Sequence, residues 1–393
     1  MQSVLCRACA CRSVVRSSVR AVGSRAAGAG SESPLKRLVQ DASSFGEAAP
    51  AERELQWATQ PYAAGAAERD EPRERPEETS VLLFPGEGAQ FVGMGRRLQD
   101  VPAARDLYEL ASSIVGWDVG RVCREGSAAE LQRRAGTALL VTSLGALEAA
   151  REARPAALQR ARAAAGFSLG EFAALVFAAA LPFDQALRLV ELRTAAMQAA
   201  AAERAGGQLT VWLAADARLG ELLAGAREHA ARRGVSAPVC QVAVYLLPGC
   251  KVLAGDEEAL RYVEESGRRW GVKRSERVRG AGGWHSPLMA RAQDAVREAL
   301  RLTDVRAPAL PVISCLDARP YPRGGNAAAA VRRRLARLTA APARWEQALH
   351  ALFARPRGTP QPLAVALGPH QDTRATLRRV NARAWDTCVY IDV

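Results

Sequence analysis

The sequence GFSLG at residues 166–170 is the feature that most constrains how this chain folds. The small apolar run Ala163-Ala164-Ala165 precedes it, as expected of a buried strand, and residues 171–177 continue with a helical pattern. A GxSxG sequence between a strand and a helix is a nucleophile elbow, whose glycines permit the sharp turn that exposes the serine hydroxyl. The sequence therefore predicts an α/β protein with a parallel sheet core, with Ser168 as its nucleophile. Because the following helix would point its N-terminus at the serine, the N–H of Leu169 is a candidate oxyanion donor.

A second loop of interest follows the apolar residues 81–84, which are typical of a buried parallel strand. In the sequence Pro85-Gly86-Glu87-Gly88 the glycines allow a close bend that exposes backbone N–H groups to an anion. The next glycine is Gly93, too far for a dinucleotide fingerprint, and no Gly-Lys-Ser/Thr follows. The pattern argues against a site for nucleotide phosphate and leaves open a purely structural turn.

A serine nucleophile needs a base, and the chain has four histidines. His229 and His350 fall in predicted helices, where packing or surface roles are commoner, and His370 lies near the late Gly368-Pro369 turn. His285 instead follows the glycine-rich residues 279–284 and precedes Ser286-Pro287, a good N-cap and first helical residue. We therefore expect His285 on a loop at a helix entrance, where it can approach the serine.

The charge and cysteine content argue against several other classes of protein. The net charge of +13 comes from scattered arginines, whereas a nucleic-acid-binding protein gathers its charge on one face with interleaved aromatics. We therefore expect no nucleic-acid partner, although a basic face for an acidic protein partner remains open. No apolar stretch is long enough to predict a membrane span. Cys6 and Cys9 form a CxxC without a second pair, so we expect reduced thiols, an intracellular location, no metal site and no cofactor.

The first residues of the chain have the composition of a targeting segment. Residues 1–31 contain no Asp or Glu, and arginines recur every four or five residues, at positions 7, 12, 16, 20 and 25. This pattern predicts a mitochondrial transit peptide, the alternative being a basic disordered tail. Residues 32–79 combine prolines with mixed charge and are predicted to be a linker.

The order of predicted elements divides the rest of the chain. Residues 206–278 alternate strands and helices in the order strand-helix-strand-strand-helix, which predicts an inserted ferredoxin-like α+β domain. Residues 80–205 and 279–393 would then form one large α/β-hydrolase-like domain with a parallel sheet.

Together these segments resemble the mitochondrial malonyl-CoA:acyl-carrier-protein transacylases over residues 80–390. Glu87 falls in the family's Pro-Gly-Gln-Gly loop and Ser168 in its Gly-His-Ser-x-Gly-Glu elbow. Glu191-Leu192-Arg193 resembles the helix whose arginine holds the malonyl carboxylate, His285 aligns with the catalytic histidine, and Gly368-Pro369 resembles a late turn.

The resemblance implies a mechanism. His285 would activate Ser168, malonyl-CoA would acylate it, and the thiol of mitochondrial acyl carrier protein would accept the malonyl group for fatty-acid synthesis in the matrix. The backbone N–H groups of Glu87 and Leu169 would form the oxyanion hole, and Arg193 would bind the free carboxylate. Similar enzymes orient the histidine by a backbone carbonyl. We expect a monomer without a cofactor, and bulky Trp284 is predicted to favour malonyl over methylmalonyl.

The sequence departs from the family pattern at several positions. Glu87 replaces Gln, which places a carboxylate near the oxyanion hole unless it is paired or points away. The other departures are Phe167 for His, Val244 for Asn, Leu338 for Gln, Ala366 for an acidic residue and His370 for Gly. Two alternatives stay open: a serine hydrolase or thioesterase of α/β-hydrolase type, and a weakly active scaffold that binds carrier protein.

Overall fold

The computed structural model describes residues 78–278, 280–356 and 358–393. The predicted transit peptide and all but the last two residues of the predicted linker lie outside the described residues.

The described chain contains nine strands and fourteen α-helices, and five of those helices lie between β1 and β2. The strands are β1 (Ser80–Phe84), β2 (Ala161–Gly166), β3 (Gly206–Leu213), β4 (Cys240–Leu247), β5 (Cys250–Asp256), β6 (Val272–Arg277), β7 (Val312–Ile313), β8 (Leu363–Ala366) and β9 (Val389–Tyr390). The α-helices are α1 (Pro102–Val115), α2 (Val119–Glu125), α3 (Ala128–Arg133), α4 (Ala135–Ala153), α5 (Pro155–Gln159), α6 (Gly170–Phe177), α7 (Phe183–Glu203), α8 (Leu219–Arg232), α9 (Glu257–Ser266), α10 (Ala290–Arg301), α11 (Ala327–Leu338), α12 (Trp345–Leu352), α13 (Gln371–Val380) and α14 (Ala382–Asp386).

A five-stranded sheet in the order β7-β2-β1-β8-β9 forms the centre of the fold, and its neighbouring strands are all parallel. Strand β1 is buried on both faces: Leu82 and Phe84 pack into one core cluster, and Val81 and Leu83 into another. This explains why the strand reads as a continuous apolar run and not as an alternating one. The predicted α/β class with a parallel sheet is confirmed.

The register between β1 and β2 determines where the loops that follow these two strands lie. Phe84 at the end of β1 is opposite Gly166 at the end of β2, so both strands end at the same level. Because the strands are parallel, the loop containing Glu87 and the elbow containing Ser168 leave the same edge of the sheet side by side.

A second sheet has the order β4-β5-β3-β6, and its neighbouring strands are antiparallel. Helices α8 and α9 cover one face and form a separate apolar cluster that includes Leu253 of β5. Val252 and Ala254 point the other way, into the cluster shared with the parallel sheet and with Trp345 of α12. The chain order β3-α8-β4-β5-α9-β6 follows the order read from the sequence, with β6 as an added strand.

An ion pair also joins the second sheet to α12. The ammonium of Lys251 on β5 lies 2.6 Å from the carboxylate of Glu346, and both side chains are more than nine-tenths buried. Because removing either partner would leave a buried charge uncompensated, this contact holds the two elements in one arrangement.

The strand β6 leads into the loop that holds His285. Ser286 accepts a hydrogen bond from the N–H of Leu288 and caps the short 3-10 helix Pro287–Met289, which continues into α10. The predicted helix entrance next to His285 is therefore present, with one 3-10 turn before the α-helix.

Two glycines of the elbow have no room for a side chain. A Cβ at Gly166 would lie 2.0 Å from the carbonyl of Gly170, and one at Gly170 would lie 2.5 Å from the carbonyl oxygens of Phe84 and Pro85. The contacted atoms are backbone, which cannot rotate out of the way. The elbow therefore packs against the end of β1 because both positions are glycine.

We expect Gly166→Ala to lower the free energy of unfolding by about 3 kcal/mol, because the added methyl group forces backbone apart in a packed core. The matched control is Gly324→Ala, where an added Cβ meets no heavy atom within 4 Å. Urea-denaturation midpoints of both variants and the parent protein measure the difference. Equal midpoints for the two variants would contradict the steric explanation.

Candidate active site

Ser168 lies at the turn between β2 and α6 in a left-handed backbone conformation, with φ of 50°. Such a conformation is unfavourable for a residue with a side chain and persists where the surrounding structure imposes it. Its hydroxyl oxygen lies 2.8 Å from Nε2 of His285, and both side chains are buried. The structure therefore brings the predicted nucleophile and the predicted base into hydrogen-bond contact.

His285 is held from both ends of its ring and by its loop. The loop is anchored to the second sheet, because the side-chain amides of Gln208 and Gln241 donate to the carbonyls of Trp284 and His285, each at 3.1 Å. Nδ1 of the ring lies 2.7 Å from the carbonyl oxygen of Leu338 and 3.2 Å from that of Ala341. Two acceptors at Nδ1 place the proton on that nitrogen, so Nε2 is free to accept the proton of Ser168.

Backbone carbonyl groups orient the ring of His285, and this distinguishes the site from that of a hydrolase with a catalytic triad. Among the described residues, no Asp or Glu carboxylate hydrogen-bonds to His285. A hydrolase triad has an acidic third member at this position. The departure at Leu338 leaves the contact intact, since the main-chain carbonyl makes it.

The pKa of His285 is lowered from 6.5 to about 4, chiefly because burial disfavours the charged ring. The positive charge of Arg193 lowers it further, whereas the hydrogen bonds to Leu338 and Ala341 act in the opposite direction. At neutral pH the imidazole is therefore uncharged, as a general base must be.

Arg193 reaches the same point from α7. Its Nη2 lies 3.4 Å from the hydroxyl oxygen of Ser168, and its Nη1 lies 3.0 Å from Oε1 of Glu87. The side chain of Arg193 is 4% exposed and that of Glu87 is 25% exposed. The carboxylate of Glu87 is therefore paired, which resolves the concern that its sequence position raised.

A cavity of about 360 Å³ opens beside this cluster. Glu87 forms part of its wall, and so does the indole of Trp284, which also packs in a small apolar cluster with Met197 and Met289. The predicted substrate-binding residue Trp284 therefore lines the space next to Glu87. The wall also includes Gln132, Gly136, Thr194, Met197 and Gln198.

A buried polar cluster behind the elbow was not singled out in the sequence. Glu171, in the first turn of α6, accepts a hydrogen bond from the N–H of Cys315 at 2.8 Å and one from the hydroxyl of Tyr321. The thiol of Cys315 donates to the carbonyl of Gly166 at 3.0 Å. Burial raises the pKa of Glu171 to about 7. These hydrogen bonds attach the start of α6 to the segment that follows β7. In the sequence, the one indication of this cluster is an acidic residue in the first turn of an otherwise apolar helix.

The other residues that depart from the family pattern are buried or stack against an aromatic ring. The ring of Phe167 packs against Trp345 with centroids 5.5 Å apart, and Val244 is buried in β4. Ala366 is buried at the end of β8, and His370 stacks on Tyr390 with centroids 4.2 Å apart.

The described residues also bear on metal binding and on membrane insertion. No group of three or more His, Cys, Asp or Glu side chains in this part of the chain is arranged to hold a metal ion. Within the same residues, none of the helices has the length and apolar character to cross a membrane.

Comparison with known proteins gives consistent matches. Residues 81–359 match the family model described as acyl transferase domain. A probable mitochondrial malonyl-CoA-acyl carrier protein transacylase of Drosophila melanogaster is 40% identical over 311 residues, covering 79% of this chain and 81% of the relative. A mitochondrial malonyl-CoA-acyl carrier protein transacylase of Homo sapiens is 35% identical over 349 residues, covering 88% of this chain and 86% of the relative. The crystal structure of an acyl-carrier-protein S-malonyltransferase from Burkholderia pseudomallei superposes with a TM-score of 0.70 at 27% identity. The superposition covers 80% of this chain and 96% of the other chain.

The match to the acyl transferase domain over most of the described chain, together with the parallel α/β sheet, defines an acyltransferase. At 35–40% identity over most of the compared chains, this protein belongs to the family of the malonyl-CoA–acyl carrier protein transacylases.

We expect the reactivity of Ser168 to follow the low pKa of its base. Inactivation by a neutral sulfonyl fluoride should have a constant rate between about pH 6 and pH 8 and fall to half near the pKa of about 4. The reason is that the ring of His285 accepts a proton only while it is uncharged, and it becomes charged as the pH falls through that pKa. The measurement is the second-order inactivation rate constant across this range, with circular dichroism as the check on folding.

The control variant for this experiment is Ser168→Ala, which should not be labelled at any pH. A rate that falls to half near pH 6.5, the ordinary histidine value, would contradict the assignment.

Proposed function

We propose that this protein transfers a malonyl group from malonyl-CoA to the phosphopantetheine thiol of acyl carrier protein, through an ester on Ser168. The observation that carries the proposal is the hydrogen-bonded Ser168–His285 pair with the buried guanidinium of Arg193 beside it. A nucleophile with a base defines acyl transfer, and a buried cation next to the nucleophile selects an acyl group with its own negative charge. The names of the relatives supply the donor and the acceptor.

The first half-reaction acylates the serine. His285 Nε2 takes the proton of the Ser168 hydroxyl while the oxygen attacks the thioester carbonyl carbon, forming a tetrahedral oxyanion. When the carbon–sulfur bond breaks, the proton on His285 passes to the departing CoA sulfur. The product is a malonyl ester of Ser168 and free CoA.

The second half-reaction is the reverse on a new thiol. His285 takes the proton of the phosphopantetheine thiol, the sulfur attacks the ester carbonyl, and the proton returns to the serine oxygen as it leaves. Because one donor leaves before the acceptor reacts, the kinetics are ping-pong.

The N–H groups of Glu87 and Leu169 are our candidates for the oxyanion hole. Leu169 directly precedes α6, whose N-terminal end carries a partial positive charge. The Glu87 loop lies on the elbow, since a Cβ at Gly86 would be 2.4 Å from the carbonyl oxygen of Phe167. Each such donor contributes about 3 kcal/mol to transition-state stabilisation.

Arg193 would bind the free carboxylate of the malonyl group. Its planar guanidinium offers two parallel N–H donors to a carboxylate, a geometry that lysine cannot reproduce. Trp284, on the wall of the adjacent cavity, would restrict the space near the second carbon of the acyl group and so disfavour methylmalonyl.

The acid-free, arginine-containing residues 1–31 and the mitochondrial relatives support a mitochondrial location, which we extend to the matrix and to its fatty-acid synthesis. We also propose a monomer, without a cofactor and without a nucleic-acid partner.

We propose an inserted ferredoxin-like domain at residues 206–278, supported by the strand order β4-β5-β3-β6 with two covering helices. Residues 80–205 and 279–393 would form the large domain, hydrolase-like in presenting its serine on an elbow.

Incubation with malonyl-CoA should leave a stable malonyl adduct on the peptide that contains Ser168. Mass spectrometry of the digested protein measures the adduct, and adding carrier protein with its phosphopantetheine arm should remove it. Ser168→Ala is the control and should stay unmodified. CoA release without an acceptor would favour a hydrolase, and neither adduct nor CoA release would favour a carrier-binding scaffold.

Arg193→Ala should lower kcat/KM for malonyl-CoA by about a hundredfold or more, because a charge-assisted pair of hydrogen bonds is lost. The rate with acetyl-CoA, which has no free carboxylate, should fall much less. The control is Arg188→Ala on the same helix, which removes an exposed arginine. An equal loss for both thioesters would argue against carboxylate binding by Arg193.

A further inference from the structure

The carboxylate of Glu87 occupies one of the donors that a bound acyl carboxylate would use. Nη1 of Arg193 donates to Glu87 at 3.0 Å, and Nη2 is within 3.4 Å of the Ser168 oxygen to which the acyl group would be joined. A bidentate pair with the substrate needs two adjacent N–H donors of the same guanidinium. The substrate carboxylate and Glu87 therefore compete for Arg193.

We propose that Glu87 is a specificity-determining residue: an internal counter-anion of Arg193 that competes with charged acyl groups and so admits uncharged ones. This inference rests on the proposed function and concerns the acyl class that the same site accepts.

The burial of the pair explains why a counter-anion matters here. The guanidinium is 4% exposed, and a buried cation without a partner is strongly unfavourable. With an uncharged acyl group on Ser168, Glu87 keeps Arg193 paired and the charge stays compensated. With glutamine at position 87, the same uncharged acyl group would leave the buried cation without an anion.

A charged acyl group meets the opposite situation. Its carboxylate would lie close to that of Glu87 around one cation, and like charges at short distance repel. Binding therefore requires Glu87 to move away from Arg193. The glutamate is 25% exposed and borders the 360 Å³ cavity, so it has space to turn outward.

The expected consequence is a weaker discrimination between charged and uncharged thioesters than Arg193 alone would give. In Glu87→Gln, kcat/KM for malonyl-CoA should rise and that for acetyl-CoA should fall. The ratio of the two should increase by at least about tenfold, the scale of one close charge pair.

The experiment measures both values of kcat/KM for the parent protein, Glu87→Gln and Glu87→Ala, with transfer to carrier protein as the readout. The control is Glu191→Gln on α7, which removes a carboxylate that accepts a hydrogen bond from Thr137, whereas the carboxylate paired with Arg193 is that of Glu87. A role of Glu87 in the loop backbone or the oxyanion hole would change both thioesters alike. An unchanged ratio in both Glu87 variants would overturn the proposal.

A double variant tests the mechanism of the effect. In an Arg193→Ala background there is no cation for which to compete, so Glu87→Gln should increase the ratio much less, by no more than the direct repulsion between the two carboxylates. An increase of the same size in that background would contradict competition for Arg193.

A binding measurement separates this proposal from the proposed function. Free malonate should slow the labelling of Ser168 by a neutral sulfonyl fluoride, and Glu87→Gln should lower the required malonate concentration by at least about tenfold. This readout needs no transfer activity. Absence of transfer in the parent protein would contradict the function, whereas equal malonate protection in both proteins would contradict the role of Glu87.

Discussion

The candidate active site depends on the contact between the elbow and the end of β1, where backbone packs on backbone. Gly170 fits beneath the carbonyls of Phe84 and Pro85, and Gly86 fits against the carbonyl of Phe167. Because no side chain separates them, the two loops leave the sheet edge in contact. Ser168 in this elbow has a left-handed backbone conformation, and the loop that carries Glu87 packs against the residue before it. The parallel register of β1 and β2 places both loops at one level, and this contact brings them together.

One buried cation sets the electrostatics of the site. Arg193 lowers the pKa of His285 further than burial alone, contacts the Ser168 oxygen and pairs with Glu87. In a site of low dielectric constant these effects are stronger than they would be in water. A single guanidinium therefore links the protonation state of His285, the hydroxyl of Ser168 and the carboxylate of residue 87.

The histidine is positioned by neutral groups. The carbonyls of Leu338 and Ala341 hold Nδ1, and two glutamines of the second sheet hold its loop. These hydrogen bonds orient the ring and fix its tautomer without adding a negative charge beside it. An acidic partner would instead raise the pKa of the ring. The second sheet therefore contributes to the geometry of the Ser168–His285 pair although both residues lie outside it.

The local sequence was sufficient for the elements that bear the chemistry. Strand, elbow and helix at residues 161–177, the strand before Glu87 and the helix entrance after His285 follow from short-range patterns of glycine, proline and apolar residues. Element ends were less well determined: the helix predicted at residues 171–177 begins at Gly170, and the helix entrance after His285 is a 3-10 helix, Pro287–Met289, before the α-helix Ala290–Arg301. Only the tertiary structure decided the partners across the chain. Glu87 meets Arg193 over 106 residues, His285 meets Leu338 over 53 and Glu171 meets Tyr321 over 150. A local sequence pattern shows which face of a helix or strand is apolar. The polar contacts named above depend instead on how the folded elements pack together, and a short stretch of sequence does not contain that information.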